Sequence, residues 1–221
     1  MKPLVLFDFD GTLADTAPDL AAAANQQRLR RGLPALPYEQ LRPMASHGAR
    51  GLLGVALGLT PDSPEYEACK QQFLDDYAAN IAVHTVLFPG VEDLLADLVQ
   101  EGWTWGIVTN KVTRFTTPLV RHLALEQHSA VVVCGDTTAH SKPHPEPLLH
   151  AAREVGIAPQ HCLYVGDDQR DIIAGQAAGM KTIATAYGYC GNGVPVETWG
   201  ADTVVDSVPA LLPAIRRLLP A

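Results

Sequence analysis

The stretch Phe7-Asp8-Phe9-Asp10-Gly11-Thr12-Leu13-Ala14-Asp15 decides the fold of this chain. The apolar run 3–7 leads into this stretch and predicts a buried strand. Gly11 ends that predicted strand. If the extended geometry continues to Asp10, a repeat of two residues puts the Asp8 and Asp10 side chains on the same side. Two carboxylates that close repel each other unless one is protonated or a cation lies between them. The stretch therefore indicates a functional site, and the alternative is a strand that ends in an acidic turn.

Composition limits the class of protein and its partners. The chain has 221 residues, of which 47% are hydrophobic, enough for one large domain or one domain with an insertion. The net charge of −8 argues against nucleic acid or an anionic membrane as a partner. Four cysteines without paired spacing favour free thiols in a reducing cytoplasm. We see no signal peptide and no apolar run that approaches a membrane span, so we expect a cytoplasmic protein.

Strand and helix patterns alternate along most of the chain. Predicted strands cover Pro3–Phe7, Trp103–Thr109, Ala130–Cys134, Cys162–Gly166, Lys181–Thr185 and Thr203–Val205. Predicted helices cover Val91–Val99, Val112–Leu123, Pro147–Val155, Asp171–Ala178 and Ser207–Leu219. Such alternation predicts an α/β fold with a parallel sheet covered on both faces. In such a sheet the site lies at the carboxyl ends of the strands.

A helical block interrupts this alternation directly after the first strand. The patterns at 16–57 and 65–81 are helical, and we predict no strand between Leu13 and His84. The block therefore cannot belong to the sheet. We predict that residues 15–85 form an inserted helical cap that selects the substrate, and that residues 1–14 and 86–221 form the catalytic core.

Polar residues follow four of the predicted strands. They are Asp8 with Asp10, Thr109-Asn110-Lys111, Ser141-Lys142-Pro143, and Gly166-Asp167-Asp168 with Asp171. Each group alone is weak evidence, because Thr-Asn after a strand is usually turn chemistry and a single lysine is usually a surface residue. The carboxyl ends of parallel strands meet at one edge, so we expect the groups to converge on one site.

These motifs resemble those of the haloacid dehalogenase superfamily phosphatases. The matching pieces are D-F-D-G-T, V-T-N, the lysine of S-K-P-H-P-E-P, and G-D-D-Q-R-D, in the family's order and spacing. The resemblance implies a Rossmann-like core with an inserted C1 cap. F-P-G-V and K-P-H-P-E-P are similar to the phosphoglycolate phosphatase-like group. S-H-G-A-R and W-G-A-D-T-V-V-D resemble the N-acetylmuramic acid 6-phosphate phosphatases of peptidoglycan recycling.

The resemblance implies hydrolysis of a phosphate monoester through an aspartyl-phosphate, and the chemistry of the residues agrees. Asp8 is the predicted nucleophile, which splits a difficult reaction into two easier steps. Asp10 is the predicted general acid and then base. The predicted cofactor is Mg²⁺, bound by Asp8, Asp167 and the main-chain carbonyl of Asp10, which cancels repulsion between the attacking carboxylate and the phosphate.

Three further residues are predicted to hold the phosphoryl group. Thr109 and Asn110 can donate hydrogen bonds to its oxygens. Lys142 neutralises their charge, can pair with Asp8, and stands just before a helix start, where backbone N–H groups add positive potential.

Residues around these motifs receive weaker predictions. Asp171 binds a metal-bound water or the outer shell of the metal, and Asp168 points away from the site. Lys111 contacts the phosphate or substrate, or is a surface lysine. In the family the cap loop selects the leaving group, and His47 and Arg50 lie in that loop; Arg50 suits a carboxylate. The alternative for this loop is a solvated turn.

The predicted substrate is a small phosphate ester, N-acetylmuramic acid 6-phosphate or 2-phosphoglycolate, hydrolysed by a monomer or homodimer. One alternative is a sugar phosphate mutase, which shares the nucleophile and cap but returns an isomer. Another is a phosphoacceptor signalling protein, which also clusters aspartates, a hydroxyl and a lysine at strand ends but lacks a cap. A dehalogenase is disfavoured because it has no use for Asp10 or for Mg²⁺.

Overall fold

A sheet of six parallel strands forms the centre of the computed structural model, which describes residues 3–191 and 193–219. Together with two short strands outside this sheet, the strands are β1 (Leu4–Phe7), β2 (Ala14–Asp15), β3 (Val86–Leu87), β4 (Thr104–Val108), β5 (Val132–Val133), β6 (Cys162–Gly166), β7 (Lys181–Thr185) and β8 (Thr203–Val205). The order across the sheet is β5-β4-β1-β6-β7-β8, and every neighbouring pair is parallel. The predicted α/β class is confirmed.

Helices connect these strands along the chain and cover the main sheet. They are α1 (Ala17–Leu29), α2 (Tyr38–Leu41), α3 (Gly48–Leu57), α4 (Tyr66–Ala79), α5 (Val91–Gln100), α6 (Thr113–His122), α7 (Glu146–Val155), α8 (Gln169–Ala177) and α9 (Leu211–Leu218). Short 3-10 segments lie at Arg42–His47, Pro159–His161, Val196–Thr198 and Val208–Ala210. Across residues 3–191 and 193–219, none of the helices has both the length and the hydropathy needed to cross a bilayer.

The central strand β1 divides its side chains between two apolar clusters. Val5 and Phe7 join the cluster under α5, α6 and α9. Leu4 and Leu6 join the cluster under α7 and α8 on the opposite face. All four side chains are fully buried, which explains why this strand is a continuous apolar run rather than an alternating one.

The four helices from α1 to α4 pack on one another. We call residues 15–85 the cap and the remaining described residues the core. The cap has an apolar cluster of its own, centred on buried Leu20, Leu52, Phe73 and Tyr77. Phe115 of core helix α6 also enters this cluster, with its ring centroid 5.3 Å from that of Tyr77. The cap therefore packs on the core as well as being linked to it.

A two-stranded ribbon joins the cap to the core. Ala14 pairs with Leu87 and Asp15 with Val86, antiparallel to each other, where the chain leaves and re-enters the core. The prediction that no strand lies between Leu13 and His84 is therefore wrong at β2. A strand of two residues is too short to show a repeat of two, and only the neighbouring linker gives it a partner.

Asp19 of α1 fastens the returning linker to the cap. Its carboxylate accepts hydrogen bonds from the N–H of His84 (3.0 Å), from the N–H of Thr85 (2.9 Å) and from the Thr85 hydroxyl (2.8 Å). Asp19 is 2% exposed, so water cannot easily replace these bonds. The carboxylate thus satisfies backbone groups that would otherwise be buried without partners.

We expect Asp19→Ala to lower the free energy of unfolding by about 2–3 kcal/mol, because it removes a charged acceptor and leaves buried donors unpaired. Urea denaturation monitored by circular dichroism measures the change. The control is Asp62→Ala in an exposed turn, which should stay within about 0.5 kcal/mol of the unmodified chain. Equal stability of the two variants would contradict the anchoring role of Asp19.

Candidate active site

The candidate site starts at the carboxyl end of β1, directly before Asp8. The Asp8 N–H donates to the carbonyl of Val165 at 2.8 Å, so the sheet pairing continues one residue beyond the strand. The chain then turns at Gly11, whose φ is 80°. A Cβ at Gly11 would collide with the Asp167 carboxylate. Both the backbone angle and the lack of space therefore call for glycine at this position.

The ammonium group of Lys142 lies at the centre of the site. Its Nζ is 2.9 Å from Asp8 Oδ1 and 2.7 Å from Asp171 Oδ1. It also donates to the Val108 carbonyl (3.1 Å) and to the Tyr164 hydroxyl (2.6 Å). Burial by itself lowers the pKa of Lys142, but the carboxylates of Asp171 and Asp8 outweigh burial and raise it. The Lys142 ammonium is therefore a buried cation that contacts two carboxylates, a main-chain carbonyl and a hydroxyl.

Three buried carboxylates cluster at this point, and two of them, Asp8 and Asp171, pair with the cation. One oxygen each from Asp8, Asp167 and Asp171 lies within 4.8 Å of the others. Burial raises the pKa of Asp8 to about 7 although the Lys142 ammonium opposes the shift. Burial, followed by the charges of Asp8 and Asp171, raises the pKa of Asp167 well above its usual value. With all three carboxylates ionised, one ammonium group would leave this cluster with excess negative charge, and its oxygen donors are those that Mg²⁺ prefers.

Asp167 is fixed by its neighbours in space. It accepts hydrogen bonds from the Thr12 hydroxyl (3.2 Å) and from the N–H of Tyr189 (2.8 Å). Gly188 lies against it so closely that a Cβ there would collide with the Asp167 side chain and lie 2.6 Å from the Gly11 carbonyl oxygen. The carboxylate therefore lies in a slot between two glycines.

Asp10 pairs with Lys111, whereas Asp8 pairs with Lys142. Its carboxylate accepts from the Thr16 hydroxyl and lies 2.9 Å from Lys111 Nζ. The Lys111 side chain is only 9% exposed and lies over the ring of Tyr77 in the cap, 5.0 Å from the ring centroid. The Asp10 carboxylate raises the pKa of Lys111 in spite of burial, which opposes it. Lys111 is therefore neither a surface residue nor part of the Lys142 cluster.

Thr109 and Asn110 follow β4 as predicted but have different surroundings. The Asn110 side chain donates to the main-chain carbonyl of Lys142 and accepts from its main-chain N–H, both at 2.9 Å. This pair of bonds fixes the backbone that carries Lys142. Thr109 Oγ1 accepts from the Lys111 N–H at 3.1 Å, which leaves the hydroxyl proton available for donation into the cavity.

Asp168 is the N-cap residue of α8 and forms a bidentate pair with Arg170, with two distances of 2.9 Å. Burial raises the pKa of Asp168, but the Arg170 guanidinium outweighs burial and holds it below the usual value. Arg170 also reaches the cap, where it donates to the Ser46 carbonyl at 2.7 Å. Asp168, which we expected to point away, instead lines the cavity.

A cavity of about 300 Å³ opens between these groups and the cap. Its lining includes the predicted site residues Asp8, Asp10, His47, Thr109, Asn110, Lys142 and Asp171. Asp167 lies behind this lining, fully buried. Arg50 is exposed on α3 and is not among the residues that line the cavity.

Sequence reasoning missed the roles of Tyr164, Tyr189 and Arg170 in this site. Tyr164 lies in an apolar strand, and nothing in the sequence pattern marked it as a site residue. In the structure its hydroxyl donates to the Val108 carbonyl at 2.7 Å. The Tyr189 hydroxyl accepts from the N–H groups of Thr16 (2.7 Å) and Ala17 (2.9 Å), at the start of α1. Each of these contacts joins residues far apart along the chain.

Comparison with known proteins identifies the family. The model of the haloacid dehalogenase-like hydrolases matches residues 5–185. The chain belongs to this family. An N-acetylmuramic acid 6-phosphate phosphatase of Pseudomonas aeruginosa is 44% identical over 215 residues, which are 97% of this chain and 95% of the relative. A phosphoglycolate phosphatase of Xanthomonas campestris is 46% identical over 208 residues, 94% of this chain and 93% of the relative.

A solved structure agrees with this family. A predicted phosphoglycolate phosphatase from Haemophilus somnus superposes with a TM-score of 0.84 at 29% identity, covering 96% of this chain and 97% of that one. The predicted membership of the superfamily is therefore confirmed, and the names of the relatives support phosphatase as the class of enzyme.

We expect Gly188→Ala to lower the free energy of unfolding by about 1–3 kcal/mol, because its methyl group has no room beside Asp167. The matched control is Gly54→Ala in α3, where the nearest atom to a new Cβ is 3.7 Å away. That control should be neutral or stabilising by up to about 1 kcal/mol. Chemical denaturation of both variants measures the difference, and a neutral Gly188→Ala would disprove the tight slot around Asp167.

Proposed function

We propose that this protein is a Mg²⁺-dependent phosphomonoester hydrolase that acts on a small phosphorylated metabolite through an aspartyl-phosphate on Asp8. The relatives' names suggest N-acetylmuramic acid 6-phosphate or 2-phosphoglycolate as the substrate. The observation that carries this proposal is the cluster of the Asp8, Asp167 and Asp171 carboxylates at the carboxyl ends of the strands, where the Lys142 ammonium pairs with Asp8 and Asp171.

The excess of carboxylates fits a divalent cation. Asp8 and Asp167 would bind it with the main-chain carbonyl of Asp10, and Asp171 lies close enough to contribute directly or through water. Bound Mg²⁺ neutralises charge on the phosphoryl oxygens and so lowers the barrier to attack by a carboxylate. The two raised pKa values, of Asp8 and Asp167, reflect repulsion and burial that a cation would relieve.

In the first step, an oxygen of Asp8 attacks the phosphorus, and the bond from phosphorus to the leaving-group oxygen breaks. Asp10 donates a proton to that oxygen, and Thr16 and Lys111 hold the Asp10 carboxylate in place. In the second step, Asp10 takes a proton from a water molecule that attacks the same phosphorus. The acyl phosphate bond then breaks, which releases phosphate and restores Asp8.

Lys142 and Thr109 would bind the phosphoryl oxygens during both steps. Lys142 keeps its charge in a water-poor site, where a cation stabilises developing negative charge most strongly. Asn110 would act through Lys142, because both functional groups of its side chain bond to the Lys142 backbone. The Thr109 hydroxyl would donate directly to a phosphoryl oxygen.

We expect Asp8→Asn to abolish phosphate release and Asp10→Asn to slow release from an alkyl phosphate by about 100-fold to 10,000-fold. Acid quenching after mixing with a radiolabelled substrate shows whether label is bound to the protein. Asp10→Asn should retain covalent label from an aryl phosphate, whose leaving group needs no proton, whereas Asp8→Asn should retain none.

The same assay separates the alternative functions. Repeated release of phosphate is the result expected of a hydrolase. One phosphate per chain, stably bound, would indicate a phosphoacceptor protein, and an isomeric sugar phosphate would indicate a mutase. Covalent label in Asp8→Asn would remove Asp8 from its proposed role.

Mg²⁺ should stabilise the folded protein, by about 2.7 kcal/mol at a concentration of 100 times the dissociation constant. Asp167→Asn should be more stable than the unmodified chain without metal, because it removes a repelling carboxylate, and should gain much less from Mg²⁺. Thermal unfolding with and without MgCl₂, against NaCl of equal ionic strength, tests this expectation. Equal gains from Mg²⁺ in both proteins would exclude Asp167 as a ligand.

A further inference from the structure

Arg42 of the cap contacts the loop that follows β7 in the core. Its two terminal nitrogens donate to the main-chain carbonyls of Gly188 (2.9 Å) and Tyr187 (3.1 Å). Its guanidinium carbon also lies over the ring of Tyr189, 5.1 Å from the ring centroid. A guanidinium can bind two carbonyls and stack on a ring because it is planar and holds its donors in a fixed fork. Arg42 therefore contacts three successive residues of this loop.

The same loop bonds to Asp167, the proposed Mg²⁺ ligand. The Tyr189 N–H donates to Asp167 Oδ2 at 2.8 Å. The Gly188 carbonyl and the Tyr189 N–H are the two ends of one peptide unit. Arg42 donates to the first end, and Asp167 accepts from the second. Because a peptide unit is rigid and planar, fixing its carbonyl also fixes the direction of its N–H.

This arrangement is a chain of two hydrogen bonds that share one peptide unit. Donation to the carbonyl of such a unit polarises it and strengthens the hydrogen bond that its N–H makes. The Arg42 guanidinium therefore acts on the Asp167 carboxylate in two ways, by orienting the N–H that bonds to it and by strengthening that bond.

The loop is packed tightly between the cap and Asp167. A Cβ at Gly188 would collide with the Asp167 side chain. A Cβ at Gly191 would collide with the main-chain carbonyl of Pro43, the residue next to Arg42. Close-packed regions have few voids that could absorb a displacement, so they transmit it. A shift of the cap at Arg42 is therefore transmitted to the Asp167 carboxylate.

Hydrogen bonds, rather than ion pairs, set the direction of the Asp167 carboxylate. Lys142 pairs with Asp8 and Asp171, whereas Asp167 forms no ion pair within the part of the chain that the structure describes. Of its donors, the Tyr189 N–H is closer than the Thr12 hydroxyl, which lies at 3.2 Å. Partners that orient a metal ligand commonly contribute about 10-fold to 100-fold to metal affinity.

On the basis of the proposed function, in which Asp167 binds Mg²⁺, we propose that Arg42 is a positioning residue that raises the affinity of the site for Mg²⁺ from the cap. It does so by holding the peptide unit that orients the Asp167 carboxylate. Such coupling is reciprocal, so bound Mg²⁺ strengthens the attachment of the cap at Arg42 by the same factor. The cap is then part of the support of the metal site as well as of the cavity wall.

Arg42→Met tests this proposal, because it keeps most of the length of the side chain and removes its donors. Isothermal titration calorimetry with MgCl₂, without substrate, measures the dissociation constant of the metal. We expect this constant to rise about 10-fold in Arg42→Met. In phosphate release from p-nitrophenyl phosphate, the Mg²⁺ concentration that gives half the maximal rate should rise similarly, while kcat at saturating Mg²⁺ should stay within about twofold.

The matched control is Arg28→Met. Arg28 is also a half-buried arginine of the cap that donates to two main-chain carbonyls, those of Pro34 and Ala56, but both of these belong to the cap. The control loses comparable hydrogen bonds without affecting the loop after β7. Its dissociation constant for Mg²⁺ should therefore equal that of the unmodified chain, and circular dichroism verifies that each variant is folded.

A second variant changes the contact from the side of the loop. The methyl group of Gly191→Ala has no room beside the Pro43 carbonyl, so it separates the loop from the cap and leaves Arg42 and the proposed ligands in place. We expect weaker Mg²⁺ binding here too. If Arg42→Met does not fold, this variant decides, and an unchanged dissociation constant would overturn the proposal.

The outcomes separate the role of Arg42 from the proposed function. Equal affinity for Mg²⁺ in Arg42→Met and the unmodified chain, or equal losses in Arg42→Met and Arg28→Met, would overturn that role and leave a Mg²⁺-dependent phosphatase. If the unmodified chain neither binds Mg²⁺ nor releases phosphate with it, the proposed function fails and the role of Arg42 fails with it.

Discussion

The site depends on one buried cation between buried acids. Lys142 is 4% exposed and has Asp8 on one side and Asp171 on the other. Removing either kind of partner would leave an uncompensated charge in a low-dielectric site, which is strongly unfavourable. The same ammonium group bonds to Val108 at the end of β4 and to Tyr164 of β6. One charged group thus links three neighbouring strands, β4, β1 and β6. It does so at the edge of the sheet where the polar site residues lie.

A second set of contacts attaches the cap to this edge. Arg42 of the cap donates to the carbonyls of Gly188 (2.9 Å) and Tyr187 (3.1 Å), beside the slot that holds Asp167. Arg170 of the core donates in the opposite direction, to the Ser46 carbonyl. Because the loop from 187 to 189 touches both Asp167 and the cap, the placement of the acid cluster and the placement of the cap are physically connected.

The core and the cap line the cavity with different kinds of side chain. The core supplies five carboxylates, of Asp8, Asp10, Asp167, Asp168 and Asp171, against the three cations Lys111, Lys142 and Arg170. A bound divalent cation would offset this excess of negative charge. The cap supplies apolar side chains to the cavity lining, including those of Leu20, Phe73 and Leu74. Lys111 lies at the boundary, since it pairs with Asp10 of the core and covers the ring of Tyr77 of the cap.

The sequence by itself determined the features that follow from local repeats and from one rule of sheet geometry. The apolar run before Asp8 predicted β1, the alternation of strands and helices predicted the parallel sheet, and parallel strands bring their carboxyl ends to a single edge. Asp8, Asp167 and Lys142 therefore met as expected. These predictions needed only the strand ends and not the detailed path of any side chain.

Only the tertiary structure decided which residues pair across elements. Lys111 with Asp10 and Arg170 with Ser46 join positions more than a hundred residues apart. Arg50 stood in the predicted loop but turned to solvent, whereas Arg170 reached the cavity. The reason is that the direction of a long side chain depends on how the cap packs against the core. That packing follows from the shapes of both surfaces, which no local pattern of residues records.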